Sequence, residues 1–288
     1  VELLQESLGA EMLEAFLRAD NEITPTILHA NPLCADAQRV YDELTEQGVT
    51  LTPHPWMPDC WLAQGTGNLE RLDAFREGRI YVQDPAAHLA AMAAGVQPGM
   101  TVLDACAAPG GKSFAAAMQM KNEGRITSCD IHPHKLSLIE KGAARLGIDI
   151  VRPALQNAAE RSEIFLENMD VVIADVPCSG LGVIRKKPDI RYKDLAPLEK
   201  LPALQSAILE NVSAYVKPGG VLLYSTCTVL RRENEAVCEA FLRAHPEFTQ
   251  EAFPVPARAG LENHGMLTLY PCIHDTDGFF ICKMRKQA

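Results

Sequence analysis

Two cysteines follow apolar runs of the sequence at points where a strand should end. Cys178 stands in "ADVPCSG", behind Asp175 and Pro177, and Cys227 stands in "YSTCT". Thiols at strand-end loops reach partial exposure and a lowered pKa more easily than thiols in a core, which suits a nucleophile. The pattern therefore favours covalent catalysis at one rim of a sheet. The residues alone do not rank the two thiols.

A third apolar run leads into the glycine-containing turn "LDACAAPGGKS". Gly110 and Gly111 allow close approach of a ligand to the backbone, and the start of the next helix offers free N–H groups. The turn is neither GxGxxG nor a P-loop, because Cys106 stands where GxxxxGK[ST] needs its first glycine. About 20 residues further on, Asp130 ends a run at the place where a carboxylate binds ribose hydroxyls. We predict an adenosine-type cofactor, with a structural turn and a solvated Asp as the alternatives.

A basic segment follows the first of the two cysteines. The stretch "GVIRKKPDIRYK" contains Arg185, Lys186, Lys187, Arg191 and Lys193 within nine residues of an otherwise acidic chain. Its position directly after the Cys178 loop favours contact with RNA phosphates, and a solvated loop is the alternative.

The elements that must position these residues alternate between strand and helix. From residue 76 onward, continuous apolar runs alternate with helical segments, which is typical of a mainly parallel sheet covered on both faces. Ligands bind at the carboxyl ends of the strands in such a sheet. Residues 1–75, with an amphipathic helix over 1–20 and the possible strands "VTLTP" and "DCWLAQ", predict a separate small α/β domain. The segments "MLTLYPC" and "GFFICKM" are expected to pair as a terminal hairpin.

Composition excludes several classes of protein. The 288 residues carry a formal charge of −10, which argues against a protein that coats nucleic acid non-specifically. No run approaches the roughly 18 apolar residues that span a bilayer, and the first residues do not resemble a secretory signal. Nine cysteines without a CxxC pair indicate reduced thiols and no zinc site. We expect a cytoplasmic monomer that binds neither membrane nor metal.

Four motifs occur together in order along the chain. "DACAAPGGK", "DVPCSG…GVIRKKPD", "YSTCT" and "DGFF" resemble the Sun-type family of RNA (cytosine-5) methyltransferases, in particular its bacterial small-subunit (16S) ribosomal RNA branch. The resemblance spans roughly residues 25 to 285. It implies a doubly wound, mainly parallel, seven-stranded Rossmann-like domain that binds S-adenosylmethionine, over residues 76–288. A small RNA-recognition-like α/β domain precedes it, over residues 1–75.

The resemblance also implies roles for single residues. Cys227 is the nucleophile that adds to carbon 6 of a flipped-out cytosine, and Cys178 assists product release. Asp175 contacts the base edge and supplies a proton to its ring nitrogen, and Lys112 contacts Asp175. Asp130 holds the ribose, and Asn157 stands where the family usually has an acidic residue, so the bond to adenine would have no charge assistance. The turn that wraps the methionine portion comprises Cys106, Ala107, Ala108, Pro109, Gly110, Gly111 and Lys112.

The resemblance leaves several alternatives for the function. Ribosomal RNA is the expected substrate, and transfer RNA is the nearest alternative. A catalytically silent RNA-binding assembly factor is disfavoured by the presence of Cys178, Cys227, Asp175 and Lys112 together. A small-molecule methyltransferase is disfavoured by the basic segment and by the extra N-terminal domain.

Overall fold

The computed structural model of the protein describes residues 1–194 and 196–288. Within that part of the chain, helices and strands alternate along most of the sequence. The helices are α1 (Glu2–Ala19), α2 (Ala37–Glu46), α3 (Asp73–Arg76), α4 (Pro85–Ala93), α5 (Gly111–Gln119), α6 (Pro133–Arg145), α7 (Leu201–Ser213), α8 (Glu235–Ala244) and α9 (Pro271–His274). Short 3-10 turns cover Leu69–Arg71, Glu163–Phe165, Pro188–Tyr192, Ala196–Lys200, Arg231–Glu233 and Ala257–Ala259.

The strands form two sheets. They are β1 (Thr26–Ala30), β2 (Thr50–Pro53), β3 (Cys60–Gln64), β4 (Ile80–Val82), β5 (Thr101–Asp104), β6 (Arg125–Asp130), β7 (Val151–Leu155), β8 (Met169–Asp175), β9 (Val216–Thr226), β10 (Phe248–Gln250), β11 (Met266–Leu269) and β12 (Phe279–Lys286). The small sheet has the order β2-β3-β1-β4, and the large one has the order β10-β12-β9-β8-β5-β6-β7 with β11 also paired to β12.

The large sheet is mainly parallel and has helices on both faces. Strands β5 to β9 pair in parallel, whereas β12 runs antiparallel to β9, β10 and β11. Side chains alternate along β8, so Ile173 packs into the core under α4, α5 and α6, and Val172 packs into the core under α7 and α8. The prediction of a doubly wound α/β sheet is confirmed, with β11 as an eighth strand. The expected terminal hairpin is present as β11 and β12.

The small sheet has the connectivity of an RNA-recognition-like unit. All its neighbouring strands are antiparallel, and the chain order β1-α2-β2-β3-α3-β4 is a β-α-β-β-α-β arrangement. One face packs on α2 and α3, and the other packs on the unit that contains the large sheet, through Ile27, Cys60 and Tyr81. The sheet face on which RNA-recognition domains stack bases is thus covered here.

The boundary between the small unit and the rest of the chain was predicted from the sequence between residues 75 and 76. Strand β4, at Ile80–Val82, pairs with β1 and completes the small sheet. A division at residue 76 would separate β4 from that sheet. We therefore propose that the unit ends at Asp84, whose side chain caps α4 by accepting a hydrogen bond from Ala86 N.

Helix α1 packs beneath the loops that carry the two cysteines. Helix α1 bends at Gly9, where φ is 73°. Its buried Leu13 and Phe16 belong to a core cluster with residues that follow Cys178 and Cys227 in the chain. Those partners are Leu181, Ile184, Ile190, Val229 and Leu230. The predicted amphipathic helix therefore supports the candidate site from below.

Candidate active site

Strands β8 and β9 bring the two cysteines together. They pair in parallel, with Asp175 opposite Ser225, so the segments that follow leave the same edge of the sheet. We call residues 177–180 the PCSG loop and residues 226–228 the TCT segment. The Sγ atoms of Cys178 and Cys227 lie 3.2 Å apart, and both residues are half-buried. The sequence-based prediction that both thiols meet at one rim therefore agrees with this geometry.

The two thiols have opposite pKa shifts. The hydrogen bond between the two thiols lowers the pKa of Cys227, and the positive charges of Lys112 and Lys187 act in the same direction. The same hydrogen bond, together with burial, raises the pKa of Cys178 well above its ordinary value. The pattern of these shifts favours ionisation at Cys227 over ionisation at Cys178. It distinguishes the two cysteines, which the residue pattern alone did not.

Hydrogen bonds fix the PCSG loop and the TCT segment to each other. Ser179 Oγ donates to Thr228 Oγ1 at 2.8 Å, and Val176 N donates to Ser225 O at 3.1 Å. Gly182 N then donates to Cys227 O at 3.0 Å. Because these contacts join backbone and buried side chains, the two sulfur atoms are held in a defined relative position.

Lys112 and Asp175 form an ion pair at the mouth of the same strands. Lys112 Nζ lies 2.8 Å from Asp175 Oδ2, and Ser225 Oγ donates to the other carboxylate oxygen at 2.8 Å. The ammonium also lies 4.9 Å from the centroid of the Phe279 ring. Such a cation–aromatic contact and the near-complete burial of Lys112 hold the ammonium in place.

The glycine-containing turn that we predict to bind the cofactor joins β5 to α5, and we call it the cofactor turn. Residues 105–110 connect the strand to the helix, the Ala108–Pro109 peptide is cis, and Ala107 N donates to Cys129 O at 2.7 Å. Among the side chains that the structure describes, none caps α5 at Gly110, so the first N–H groups of α5 face the turn.

The reason for the two glycines differs in part from the sequence-based explanation. Gly110 has a φ of 112°, and a Cβ there would lie 2.4 Å from the Phe114 ring. A Cβ on Gly111 would lie 3.2 Å from Gln83 Nε2. The positive φ and the Phe114 ring therefore disfavour a side chain at Gly110, whereas a Cβ at Gly111 would need only a small shift of the Gln83 side chain.

A cavity of about 640 Å³ opens at this edge of the sheet. Its lining comprises Thr24, Pro25, Thr26, Ile27, Leu69, Val82, Gln83, Asp84, Ala87, Asp104, Cys106, Ala107, Ala108, Pro109, Gly111, Lys112, Asp175, Lys186, Lys187 and Asp277. The volume is in the range of small-molecule sites. A larger cavity of about 910 Å³ between β1, α4 and α5 includes none of the predicted site residues. The smaller cavity is therefore the candidate cofactor site.

Three predicted cofactor residues, Gly110, Asp130 and Asn157, lie outside that lining. Asp130 ends β6 beside the cofactor turn, and its Oδ1 accepts a hydrogen bond from His132 N at 2.9 Å. Asn157 uses both ends of its amide in a local turn, accepting from Ala159 N and donating to Glu160 Oε1. An adenine contact by Asn157 would have to replace one of those bonds.

The predicted RNA-binding set divides into two groups. Arg185 and Lys186 form ion pairs with Asp277 and with Asp84, whose carboxylates are nearly inaccessible to solvent. Lys187 and Arg191 are exposed, and neither forms an ion pair within residues 1–194 and 196–288. Arg191 donates to Asp20 O at 2.7 Å. The charge available to an external phosphate is therefore concentrated in Lys187, Arg191 and the exposed Lys193.

Sequence reasoning missed Asp104, the last residue of β5. It is fully buried, accepts a hydrogen bond from Ser113 Oγ at 2.7 Å and lines the cavity, and burial raises its pKa to about 6. Its Oδ1 has no hydrogen-bond partner among the described residues. The signal was present in the Asp of "LDACAAPGG", which ends a strand directly before the turn.

Among the described residues, no group of three or more His, Cys, Asp or Glu side chains could hold a metal ion. In the same part of the chain, no helix is both long and apolar enough to cross a bilayer.

Comparisons with known proteins match nearly the whole chain. The family model described as 16S rRNA methyltransferase RsmB/F matches residues 91–285. The probable ribosomal RNA small subunit methyltransferase B of Bacillus subtilis strain 168 is 38% identical, over 98% of this chain and 64% of that protein. The ribosomal RNA small subunit methyltransferase F of Escherichia coli strain HS is 31% identical, over 95% of this chain and 63% of that protein.

A solved structure agrees with these matches. The crystal structure of a methyltransferase homolog protein from Pyrococcus horikoshii superposes with a TM-score of 0.84 at 26% identity, covering 99% of this chain and 95% of that one. The chain thus spans slightly less than two thirds of the length of the two bacterial relatives and nearly all of the archaeal structure.

Proposed function

We propose that this chain, which belongs to the RsmB/F family of 16S rRNA methyltransferases, methylates carbon 5 of a cytosine in RNA, with small-subunit ribosomal RNA as the substrate. The observation that carries the proposal is the 3.2 Å approach of the Cys178 and Cys227 sulfur atoms beside the Lys112–Asp175 ion pair. The proposal places the enzyme with its substrate in the cytoplasm, as a monomer.

The cavity beside the cofactor turn fits S-adenosylmethionine. Two of its polar features are Oδ1 of the buried Asp104, which has no hydrogen-bond partner among the described residues, and the start of α5, which no described side chain caps. Carboxylates suit a cationic sulfonium ligand, and the amide groups suit a carboxylate or hydroxyls. When bound, the cofactor supplies an electrophilic methyl group. Residues 106–112 would hold its methionine portion, with Asp130 at the ribose and Asn157 near the adenine.

Cys227 is the nucleophile in this proposal. Its thiolate forms a bond to carbon 6 of the cytosine, and the electrons of the 5,6 double bond make carbon 5 nucleophilic. The hydrogen bond from Cys178 supports the choice, because it favours the ionised form of Cys227 before the base arrives. After methylation, carbon 5 loses its proton to water, ring nitrogen 3 returns the proton that it took during addition to Lys112 through Asp175, and the sulfur leaves carbon 6, which restores the thiolate and the aromatic ring.

Asp175 and Lys112 manage the charge on the base. Addition at carbon 6 increases electron density at ring nitrogen 3, which must then take a proton. We assign the Asp175 carboxylate to contact the base edge. Because this carboxylate is ion-paired with Lys112, we assign the Lys112 ammonium as the source of the proton, which reaches the base through Asp175. Ser225 holds the carboxylate orientation through its hydrogen bond to Oδ1.

Cys178 serves the release step. Its thiol is half-buried next to the Cys227 sulfur, and its raised pKa keeps it protonated, so its S–H can donate to that sulfur and stabilise the thiolate that leaves carbon 6. Without it, the bond between Cys227 and carbon 6 should persist.

RNA contact is assigned to Lys187, Arg191 and Lys193. These exposed cations follow the PCSG loop directly, in a protein whose net charge of −10 would otherwise repel phosphate. Arg185 and Lys186 support this surface from within through their ion pairs.

The test uses purified protein, labelled S-adenosylmethionine, and separate pools of ribosomal and transfer RNA, followed by mapping of methylated cytosines. We expect label on carbon 5 of a cytosine in small-subunit RNA, no transfer by Cys227→Ala, and a denaturation-resistant RNA adduct with Cys178→Ala. Normal transfer by Cys227→Ala would refute the mechanism. Labelling confined to transfer RNA would refute the substrate.

A further inference from the structure

A buried carboxylate lies behind the PCSG loop, outside the catalytic groups described above. Glu233 ends the 3-10 turn Arg231–Glu233 before α8, and none of its surface is exposed. Its Oε2 accepts a hydrogen bond from Ser179 N at 2.9 Å. The backbone amide directly after Cys178 is therefore held by a side chain that comes from the far side of the TCT segment.

Gln205 on α7 completes the contact with the loop. Its Nε2 donates to Pro177 O at 3.0 Å and to Glu233 Oε2 at 2.9 Å. Both peptide groups that flank Cys178 are thus fixed, one on the carbonyl side and one on the N–H side. Rotation of the loop that would carry the Cys178 sulfur away from Cys227 must break one of these bonds.

The turn that carries Glu233 is itself anchored. Tyr224 OH donates to Glu233 O at 2.5 Å, and the side chain of the next residue, Asn234, accepts from Thr226 Oγ1 at 2.6 Å. Asn234 Nδ2 also donates to Thr228 O at 2.9 Å. Glu233 therefore connects the PCSG loop, which carries Cys178, to β9 and the TCT segment, which carries Cys227.

The carboxylate is costly for a purely structural residue. Glu233 Oε1 is buried without a hydrogen-bond partner among the described residues, and an ionised group with an unmet oxygen is expensive in a protein interior. The negative charge also contributes to the raised pKa of the Cys178 thiol, after the larger effects of the Cys227 hydrogen bond and burial. Its location thus favours a neutral, fixed thiol at Cys178.

We propose that Glu233, with Gln205, is a positioning residue that aims the Cys178 thiol at the Cys227–base adduct and thereby acts in product release rather than in methyl transfer. The inference rests on the proposed function. It predicts that loss of Glu233 reproduces the consequence of losing Cys178, although Glu233 touches neither substrate nor cofactor.

The test compares Glu233→Ala and Gln205→Ala with Cys178→Ala, and with Glu239→Ala as a control. Glu239 is a glutamate on α8 whose side chain is 43% exposed. After one round of reaction with RNA, denaturing gels should show an adduct for Glu233→Ala at least about tenfold above the unmodified protein, with the methyl label on the trapped RNA. Gln205→Ala should show a smaller accumulation, and Glu239→Ala should show none. Adding Cys227→Ala to Glu233→Ala should remove the adduct.

Two outcomes would overturn the inference, and they are distinguishable. If Cys178→Ala traps RNA but neither Glu233→Ala nor Gln205→Ala does, then Glu233 has only a structural role, even where Glu233→Ala is inactive or unfolded. If Cys178→Ala itself traps nothing, the release role in the proposed function fails, and the role of Glu233 fails with it. Glu233→Gln, which keeps an oxygen acceptor for Ser179 N, should lie close to the unmodified protein.

Discussion

Lys112 Nζ lies 2.8 Å from Asp175 Oδ2, which joins the start of α5 to the end of β8 across the cavity. The side chain of Lys112 is 9% exposed and that of Asp175 is 30% exposed, so the pair is accessible mainly from the carboxylate side. A group that approaches from that side therefore meets the Asp175 carboxylate first, with the Lys112 ammonium behind it.

This relationship predicts a catalytic defect for Lys112→Gln. Glutamine keeps a hydrogen-bond donor near Asp175 but has no positive charge and no proton that it could transfer. We therefore expect the methylation rate at saturating RNA to fall by about 10²–10⁴-fold. Single-turnover transfer of labelled methyl measures it, with Lys121→Gln, at the other end of α5, as the control. A rate within a factor of two of the unmodified protein would contradict the assigned role.

The basic segment predicts two different phenotypes. Replacing Lys187 and Lys193 with Gln should weaken RNA binding and reduce the slope of log K against log salt by roughly 0.7–0.9 for each phosphate that the variant no longer neutralises. Titrations of RNA at several salt concentrations measure it, and Lys141→Gln on α6 is the control. An unchanged slope would exclude phosphate binding by these lysines.

Arg185→Gln is the contrasting variant in that segment. Its guanidinium pairs with the buried Asp277, so removing the charge should lower the free energy of unfolding, on the order of 3 kcal/mol, and leave the salt slope unchanged. Denaturant unfolding and the same RNA titrations separate the two effects. A reduced salt slope with normal stability would show that Arg185 faces RNA instead.

Asp20 predicts a pH-dependent stability. Neither carboxylate oxygen has a hydrogen-bond partner among the described residues, and burial raises its pKa from 3.8 to about 7, against the opposing charges of Arg191 and Arg185. The folded state therefore binds this proton more tightly than the unfolded state. Its contribution to stability is complete below about pH 4 and is lost as the pH rises through 7.

We expect Asp20→Asn to unfold at the same temperature as the unmodified protein near pH 4 and at a higher one at pH 8. Thermal unfolding at both values measures it, with the exposed neighbour Glu22→Gln as the control. Only the difference between variant and unmodified protein is informative, because burial also raises the pKa of Asp277 to about 6. An advantage that does not grow with pH would contradict the assignment to Asp20.

A side chain at position 182 should cause a packing defect just after the PCSG loop. A Cβ at residue 182 would lie 1.9 Å from Gly278 O, and Gly278 N donates to Gly182 O at 2.8 Å. Gly182→Ala should lower the free energy of unfolding by about 1–3 kcal/mol because the two backbones must separate. Gly278→Ala should behave alike, since the contact is mutual. Unchanged denaturant midpoints for both would contradict this close approach.

The parts of the site that could be predicted from sequence are those that depend on neighbouring strands. Cys178 and Cys227 meet because each follows a strand of a parallel sheet, and β8 and β9 happen to be adjacent. The order of the strands was not readable from the residues, so the prediction that both thiols meet rested on the expectation that consecutive strands lie side by side in the sheet. The strand–turn–helix around residues 105–112 was predictable for the same local reasons.

The parts that could not be predicted depend on contacts between distant segments. The partners of Lys186 are Asp84 and Asp277, which lie 102 and 91 residues away along the chain. No local pattern distinguishes these internal ion pairs from a solvated basic loop. The limit between the two units depends on a similar contact, because only the pairing of β4 with β1 places β4 in the small sheet.

Strand β12 lies between β9 on one side and β10 and β11 on the other, although it follows all of them in the sequence. A ribosome therefore delivers Phe279 and Asp277 after the cofactor turn, both sulfur atoms and the basic segment have already emerged. During synthesis, Lys112 lacks its aromatic cover, and Lys186 lacks Asp277, one of its two counter-charges. The nascent polypeptide should remain catalytically silent until this late insertion is complete.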